Sequence, residues 1–165
     1  MQNSIEIANA AASDAPLILS FIKELAVYEK ALHEVTATVA DIEKTLLSAD
    51  PDAHALICRV NNEPAGFAVY FFNYSTWLGQ AGLYLEDLYV SPRFRRFGAG
   101  KALLKHLAGI AVEKKCQRFE FSVLDWNQPA MDFYESTGAL PQKEWIRYRL
   151  SGKALAQFAA DSRDF

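Results

Sequence analysis

The helical repeat of apolar residues is the first pattern along the chain. In Ala15–Lys30 an apolar stripe follows Asp14, a residue type that caps helix N-termini, and together they predict the first helix. The same repeat, with proline and glycine as end signals, predicts the later helices. They are expected at Val39–Leu47, Gly98–Lys115, Pro129–Gly138 and in the C-terminal segment that follows Leu150.

Shorter apolar runs bounded by turn residues predict the strands. The clearest boundary is Asn61-Asn62-Glu63-Pro64, whose residue types favour a tight connection between two strands. Strands dominate the middle of the chain and alternate with helices afterwards, so the order predicts an α/β protein with a mixed sheet covered by helices. The strands are expected at Ser4–Ala8, Ala53–Val60, Ala65–Phe72, Leu83–Val90, Arg118–Leu124 and Trp145–Leu150.

Composition bounds the function without identifying it. The 165 residues are 51% apolar and 22% charged, which is typical of one soluble domain over 1–165. No apolar run approaches the roughly 20 residues of a membrane span, and no secretory signal is visible, so we expect a cytoplasmic protein with no membrane partner. The net charge of 17 − 20 = −3 argues against a nucleic-acid partner. Cys58, Cys116 and the histidines lack metal-ligand spacing, so no metal site is expected.

The segment after the fourth predicted strand carries the most specific chemistry. Arg95-Arg96-Phe97-Gly98-Ala99-Gly100-Lys101 leads into an amphipathic helix. Helix N-termini present unpaired amides to anions, closely spaced glycines let the backbone approach them, and arginines, here with Arg93, pair with phosphate. Because a P-loop hydroxyl and a third glycine are both missing, the pattern disfavours ATP and dinucleotide motifs. The segment predicts a phosphate cradle, and a tight turn with solvated arginines is the alternative.

Arg95-x-x-Gly98-x-Gly100, preceded by Leu88-Tyr89-Val90, resembles the acetyl-CoA-binding motif of the GNAT family of N-acetyltransferases. The resemblance covers most of the chain. It implies a central, mostly antiparallel sheet flanked by helices, acetyl-CoA as cofactor, no metal, a small-molecule amine as partner and a homodimer. Four blocks resemble the diamine acetyltransferases of that family, of the spermidine/spermine and thialysine types: Glu24–Glu29, Tyr74–Trp77, Tyr84–Asp87 and Val123–Gln128.

The resemblance also implies the cofactor contacts. Backbone groups of Leu88–Val90 would pair with the pantetheine arm, and amides from Arg96 to Lys101 would hold the pyrophosphate. Arg96 stands where the family often has glycine, and either adds a phosphate contact or crowds the turn. The implied cofactor residues are Leu88, Tyr89, Val90, Arg95, Arg96, Phe97, Gly98, Ala99, Gly100, Lys101, Asn127, Pro129 and Ala130.

Two residues are catalytic candidates, because acetylating an ammonium of pKa about 10.4 requires a proton acceptor and benefits from a donor to the thiolate. Tyr134 matches the tyrosine that protonates coenzyme A sulfur in the resembled family, and a packing role beside Ala130 and Met131 is the alternative. Glu86 is the candidate base, acting through water, with a counter-ion role or a plain polar surface position as alternatives. In a regular strand Glu86 and Asp87 point to opposite faces, and a β-bulge would redirect one of them.

Carboxylates and aromatic faces predict the amine pocket, since both attract a cation. Glu120, Phe121 and Ser122 lie on the strand that resembles the family's substrate wall. The loop before Trp77 carries Ser75-Thr76 where the polyamine branch has an acidic residue, so we expect a short diamine or lysine-like amine rather than spermine. The candidates are Tyr28, Glu29, Trp77, Glu86, Glu120, Phe121, Ser122 and Glu144.

Acetyl transfer from acetyl-CoA to a primary amine, by direct attack on the thioester, is therefore the leading hypothesis for the function. An acyl-CoA-binding regulatory module without turnover is one alternative. A protein N-acetyltransferase is the other, and it would need an open groove where we expect a closed pocket.

Overall fold

The computed structural model describes residues 3–160, which fall in two compact units, Met1–Ser122 and Val123–Phe165. The first unit is built on a five-stranded sheet whose strands follow one another in chain order. The first four are antiparallel and the fifth runs parallel to the fourth, which confirms the predicted mixed sheet. The strands are β1 (Ile5–Asn9), β2 (His54–Val60), β3 (Glu63–Ser75), β4 (Gln80–Val90) and β5 (Phe119–Phe121).

The β2–β3 connection shows why the predicted turn forms. Asn61 and Asn62 have φ of 51° and 68°, a left-handed conformation that asparagine tolerates and that matches strand twist in two-residue hairpins. Val60 therefore pairs with Glu63 directly across the turn. Pro64, predicted to belong to the turn, lies within β3.

Both faces of the sheet carry buried apolar residues. The helices α1 (Ala15–Tyr28) and α2 (Val39–Leu46) cover one face, where Phe21 of α1 stacks on Phe67 of β3 at 5.7 Å between ring centroids. The alternate strand residues are buried on the other face, which α3 (Ala99–Glu113) covers with Leu103 and Leu107. The elements thus place the C-terminal end of β4 beside the start of α3.

The start of α1 differs from the sequence-based expectation. Asp14 occupies the N-cap position, but its side chain makes no capping hydrogen bond to the helix. Its Oδ2 instead accepts from the backbone N–H of Ala11 at 2.8 Å, because a short 3₁₀ turn over Ala12–Asp14 precedes the helix. At α2, by contrast, Thr38 and Asp41 form a reciprocal capping box.

The second unit contains α4 (Gln128–Glu135) and α5 (Gly152–Ala160), in agreement with the predicted helices. The predicted strand Trp145–Leu150 is wrong, since these residues form no ladder in the structure. Alternating side chains make a strand only where a neighbouring chain supplies the hydrogen bonds. Ile146 and Tyr148 remain 75% and 90% exposed. The division into two units does not test the prediction of a single domain. Among residues 3–160, no helix is long and apolar enough to cross a bilayer.

Candidate active site

A β-bulge lies in the middle of β4. Val69 of β3 pairs with Asp87, whereas the next residue, Tyr70, pairs with Leu85, so Glu86 is the extra residue of the ladder. The bulge shifts the alternation of side chains by one position. Asp87 lies on the same face as Val69 and Tyr89, towards α1, and the bulge brings Tyr84 to that face as well. Glu86 is exposed.

Two carboxylates act on a third one, Asp87, around this bulge. The pKa of Asp87 is raised to about 6, first by burial and then by the negative charges of Glu86 and Glu29. Glu29 follows α1 directly, and partial burial raises its pKa as well. A cation bound among these groups would relieve both the repulsion and the lost hydration. Asp87 is not among the candidates predicted from the sequence, because regular alternation turns it away from Glu86.

The same face of the sheet continues past the bulge with polar side chains. Tyr84 pairs with Phe71 on one side and with Glu120 of β5 on the other, so the three share this face. The hydroxyl groups of Tyr84 and Ser122 lie 2.7 Å apart. Asn73 donates to Glu120 Oε2 at 3.4 Å. Two of the predicted wall residues, Glu120 and Ser122, are thus brought to the face that holds Asp87.

Two other candidates for the amine pocket lie elsewhere. Phe121 pairs with Leu85, so it points to the opposite face, which α3 covers. Trp77 lies in the β3–β4 turn and is 79% exposed. The rise of β4 from Gln80 to Glu86 separates that turn from the carboxylates by about 20 Å. Within one chain, the structure does not bring Trp77 to the carboxylates at the β4 bulge.

The predicted phosphate cradle has the backbone that an anion requires. A 3₁₀ helix over Pro92–Phe97 ends at Gly98, whose φ of +83° is a left-handed conformation that favours glycine, and α3 begins at Ala99. In α3, which the structure describes in full, the first turn carries no acidic residue and no side chain caps it. Its first amides and the dipole therefore offer a binding site for a diphosphate, with Lys101 beside them.

The arginines of this segment are not equivalent. Arg93 forms an ion pair with Glu63 at 3.0 Å and lies over the Phe94 ring. That it adds charge to the cradle stays a prediction. The Nε of Arg95 donates to the Val90 carbonyl at 3.1 Å. Arg96 lies in the last turn of the 3₁₀ helix and is exposed.

One edge of β4 suits the pantetheine arm. β4 pairs with β5 only over Leu83–Leu85, and within residues 3–160 no strand pairs with this edge from Glu86 onwards. The Ser91 N–H donates to Ala65 on the β3 side, and successive residues direct their backbone groups to opposite edges. Leu88 and Val90 therefore face the open edge, while the backbone of Tyr89 is used by β3. An extended amide-containing arm can add to such an edge as a strand does.

The remaining candidates belong to the second unit. Asn127 is buried and is the N-cap of α4, where its side chain accepts from the Ala130 N–H at 3.3 Å. Tyr134 lies on α4 with its ring 5.2 Å from that of Phe133. Glu144 is exposed. The acetyl-CoA contacts of Asn127, Pro129 and Ala130, the catalytic role of Tyr134 and the amine contact of Glu144 stay predictions.

Known proteins are similar to this chain in sequence and in fold. A model of the Acetyltransferase (GNAT) family matches residues 21–139. The chain is 35% identical to the thialysine N-epsilon-acetyltransferase of Sus scrofa, over 94% of this chain and 98% of that protein. It is 30% identical to an L-ornithine N5-acetyltransferase of Arabidopsis thaliana, over 88% of this chain and 84% of that protein. A solved integron cassette protein of V. cholerae is 29% identical, with a TM-score of 0.79 over 96% of this chain and 99% of its own.

Proposed function

The chain belongs to the GNAT acetyltransferase family, and from this we propose that it acetylates the terminal primary amine of a short diamine or lysine-like amino acid. Membership makes it an acetyl-CoA-dependent N-acetyltransferase. The observation that carries the proposed substrate is the partly buried carboxylate of Asp87 at the β4 bulge, on which the negative charges of Glu86 and Glu29 act.

The acetyl-CoA half of the proposed site uses mostly backbone. The open edge at Leu88 and Val90 would hold the pantetheine arm, and the first amides of α3 after Gly98 would hold the pyrophosphate. Acetyl-CoA supplies the thioester to be attacked. Arg96 and Lys101 add positive charge outside the turn.

The amine half uses side chains. Glu29, Glu86 and Asp87 supply negative charge, and Tyr28 adds an aromatic ring at the end of α1. Glu120 and Ser122 line the same face further along the sheet. The relatives named for thialysine and ornithine support this assignment, because both molecules carry a primary amine at the end of a short side chain.

The proposed chemistry has two proton transfers. An ammonium of pKa about 10.4 must lose a proton before its nitrogen attacks the thioester carbon. Glu86, acting through water, takes that proton, while Asp87 keeps a negative charge beside the cation. The new C–N bond forms as the C–S bond breaks, and the Tyr134 hydroxyl gives its proton to the departing thiolate. The tyrosine regains a proton from solvent.

An amine panel tests the proposed function. The purified chain is supplied with acetyl-CoA and with lysine, thialysine, ornithine, putrescine, spermidine or spermine, and coenzyme A release is measured. We expect the highest kcat/KM with a short diamine or lysine-like amino acid. Spermine as the best substrate would contradict the proposed substrate, and no transfer to any amine, with acetyl-CoA still bound, would favour a regulatory acyl-CoA-binding module.

We also propose that the active form is a homodimer. Leu140 and Ile146 follow α4 in the chain and are 78% and 75% exposed. Clusters of large exposed apolar side chains are typical of protein interfaces. Sedimentation at assay concentrations measures the oligomeric state. A fully active monomer would contradict this proposal.

A further inference from the structure

Arg95 extends from the acetyl-CoA turn towards α1. Its guanidinium lies 5.2 Å from the ring centroid of Tyr28 and 5.9 Å from that of Tyr89. Both distances are within the range of a cation–π contact. Tyr28 is the last residue of α1, and Tyr89 lies on the α1-facing side of β4. One side chain thus connects the strand that precedes the cradle with the end of the helix that carries Glu29.

The other contact of Arg95 fixes its direction. The Val90 carbonyl points to the open edge of β4, away from β3, and it accepts from Arg95 Nε at 3.1 Å. A guanidinium is planar, so a hydrogen bond at Nε sets the plane that the rest of the group can present to an aromatic ring. The backbone that would receive the pantetheine arm therefore also orients the cation above Tyr28.

Residues beside the guanidinium form a further link between β4 and α1. Glu24 on α1 accepts from the Ser91 hydroxyl at 2.9 Å. The pKa of Tyr89 is raised by burial and by its hydrogen bond to Glu24, and the positive charge of Arg95 opposes that rise. A chain of contacts thereby connects the end of β4 with the middle of α1, through Arg95, Tyr89, Ser91 and Glu24. Tyr28 adds a second connection at the helix end.

We propose that Arg95 is a positioning residue, which holds the end of α1, with Tyr28 and Glu29, in place for the amine through its contacts with Tyr28 and the Val90 carbonyl. This goes beyond the phosphate contact that its place in the turn predicts. The kinetic part of the proposal rests on the proposed function, whereas the contact between Arg95 and α1 does not.

The kinetic test compares two neighbouring arginines. Arg95→Gln removes the cation above Tyr28, and we expect the KM for the amine to rise about tenfold. Arg96→Gln removes the same charge from the same turn, and we expect it to raise the KM for acetyl-CoA while the KM for the amine stays within about twofold. Arg95→Lys retains a cation without the planar donor, so its KM for the amine should lie between those of the wild-type chain and Arg95→Gln.

A second measurement does not depend on activity. Hydrogen–deuterium exchange is followed in the full chain at the amides of residues 26–31, which close the C-terminal end of α1. Arg95→Gln should speed exchange there, and Arg96→Gln should not. In Tyr28→Leu the effect of Arg95→Gln on exchange should largely disappear, since the two residues act through one contact.

The two measurements have separate consequences. An Arg95→Gln variant that raises only the KM for acetyl-CoA, or that leaves exchange at 26–31 unchanged, would overturn the positioning role and leave Arg95 as a phosphate ligand. If Arg95→Gln does not fold, the same criteria apply to Arg95→Lys with smaller effects. A wild-type chain that acetylates no amine would refute the proposed function, while the exchange data would still decide whether Arg95 holds α1.

Discussion

The proposed site uses the two halves of β4 in different ways. At its C-terminal end, Leu88, Val90 and the turn at Gly98 present backbone groups, whose number and direction follow from the strand and the helix themselves. In its middle, Asp87 and Glu86 present carboxylates whose positions depend on a bulge and on the neighbouring α1. A backbone site needs only the correct local conformation. A side-chain site also needs the correct partner from a distant part of the chain.

The largest effect should come from outside both halves. Tyr134→Phe removes the proposed proton donor, so kcat should fall about 100-fold or more while the affinity for coenzyme A is retained. Single-turnover kinetics and calorimetry of coenzyme A binding measure the two quantities. Tyr148→Phe, which removes a hydroxyl from an exposed position of the same unit, serves as the control. Unchanged kcat in Tyr134→Phe would remove α4 from the mechanism.

The next effect concerns stability. Asp87 has a pKa of about 6 in the folded chain against an ordinary value of 3.8. The folded state therefore holds this proton more tightly than the unfolded state, and the associated stability, present at low pH, is lost as pH rises through about 6. The shift of roughly two units corresponds to at most about 3 kcal/mol.

The measurement is the free energy of unfolding by urea between pH 4.5 and 7.5. Relative to Asp87→Asn, which cannot titrate, the wild-type chain should lose stability over this interval. Glu43→Gln, on the exposed side of α2, should follow the wild-type curve. Parallel curves for the wild-type chain and Asp87→Asn would show that folding does not raise the pKa of Asp87.

The same Asp87→Asn variant sharpens the comparison through its kinetics. It should lower kcat/KM for the amine about 30-fold, which is the size of one charge-assisted contact of about 2 kcal/mol. The KM for acetyl-CoA should not change, because the cradle lies at the other end of the strand. A similar loss for both substrates would mean that the two halves of β4 are not separate sites.

The smallest effect tests the backbone half. Gly98→Ala places a Cβ at a left-handed position, at a cost of about 1–2 kcal/mol, and the resulting shift of the turn should raise the KM for acetyl-CoA about tenfold. Gly109→Ala is the matched control, because a Cβ at this position in α3 meets no atom within 4 Å. Equal KM values for acetyl-CoA in the two variants would show that the turn does not depend on Gly98.

The sequence predicted the backbone half more fully than the side-chain half. The Gly98 turn was readable because glycine spacing and a following helix are local features. Asp87 was missed because a bulge depends on the pairing of β3 with β4, which alternation along one strand does not reveal. Arg95 was predicted only as part of the cradle, since its contact with Tyr28 joins residues far apart in sequence. Trp145–Leu150 alternates as a strand does, but the neighbour that a ladder needs is not encoded in the alternation.

The open edge of β4 has a consequence for handling the protein. Exposed strand edges recruit strands from other molecules, and this is a common route to aggregation. From Glu86 to Val90 the edge has no strand partner among residues 3–160. The side chain of Arg95 donates to the Val90 carbonyl there. A bound pantetheine arm would block this edge. Acetyl-CoA should therefore keep concentrated protein from precipitating, independently of any amine.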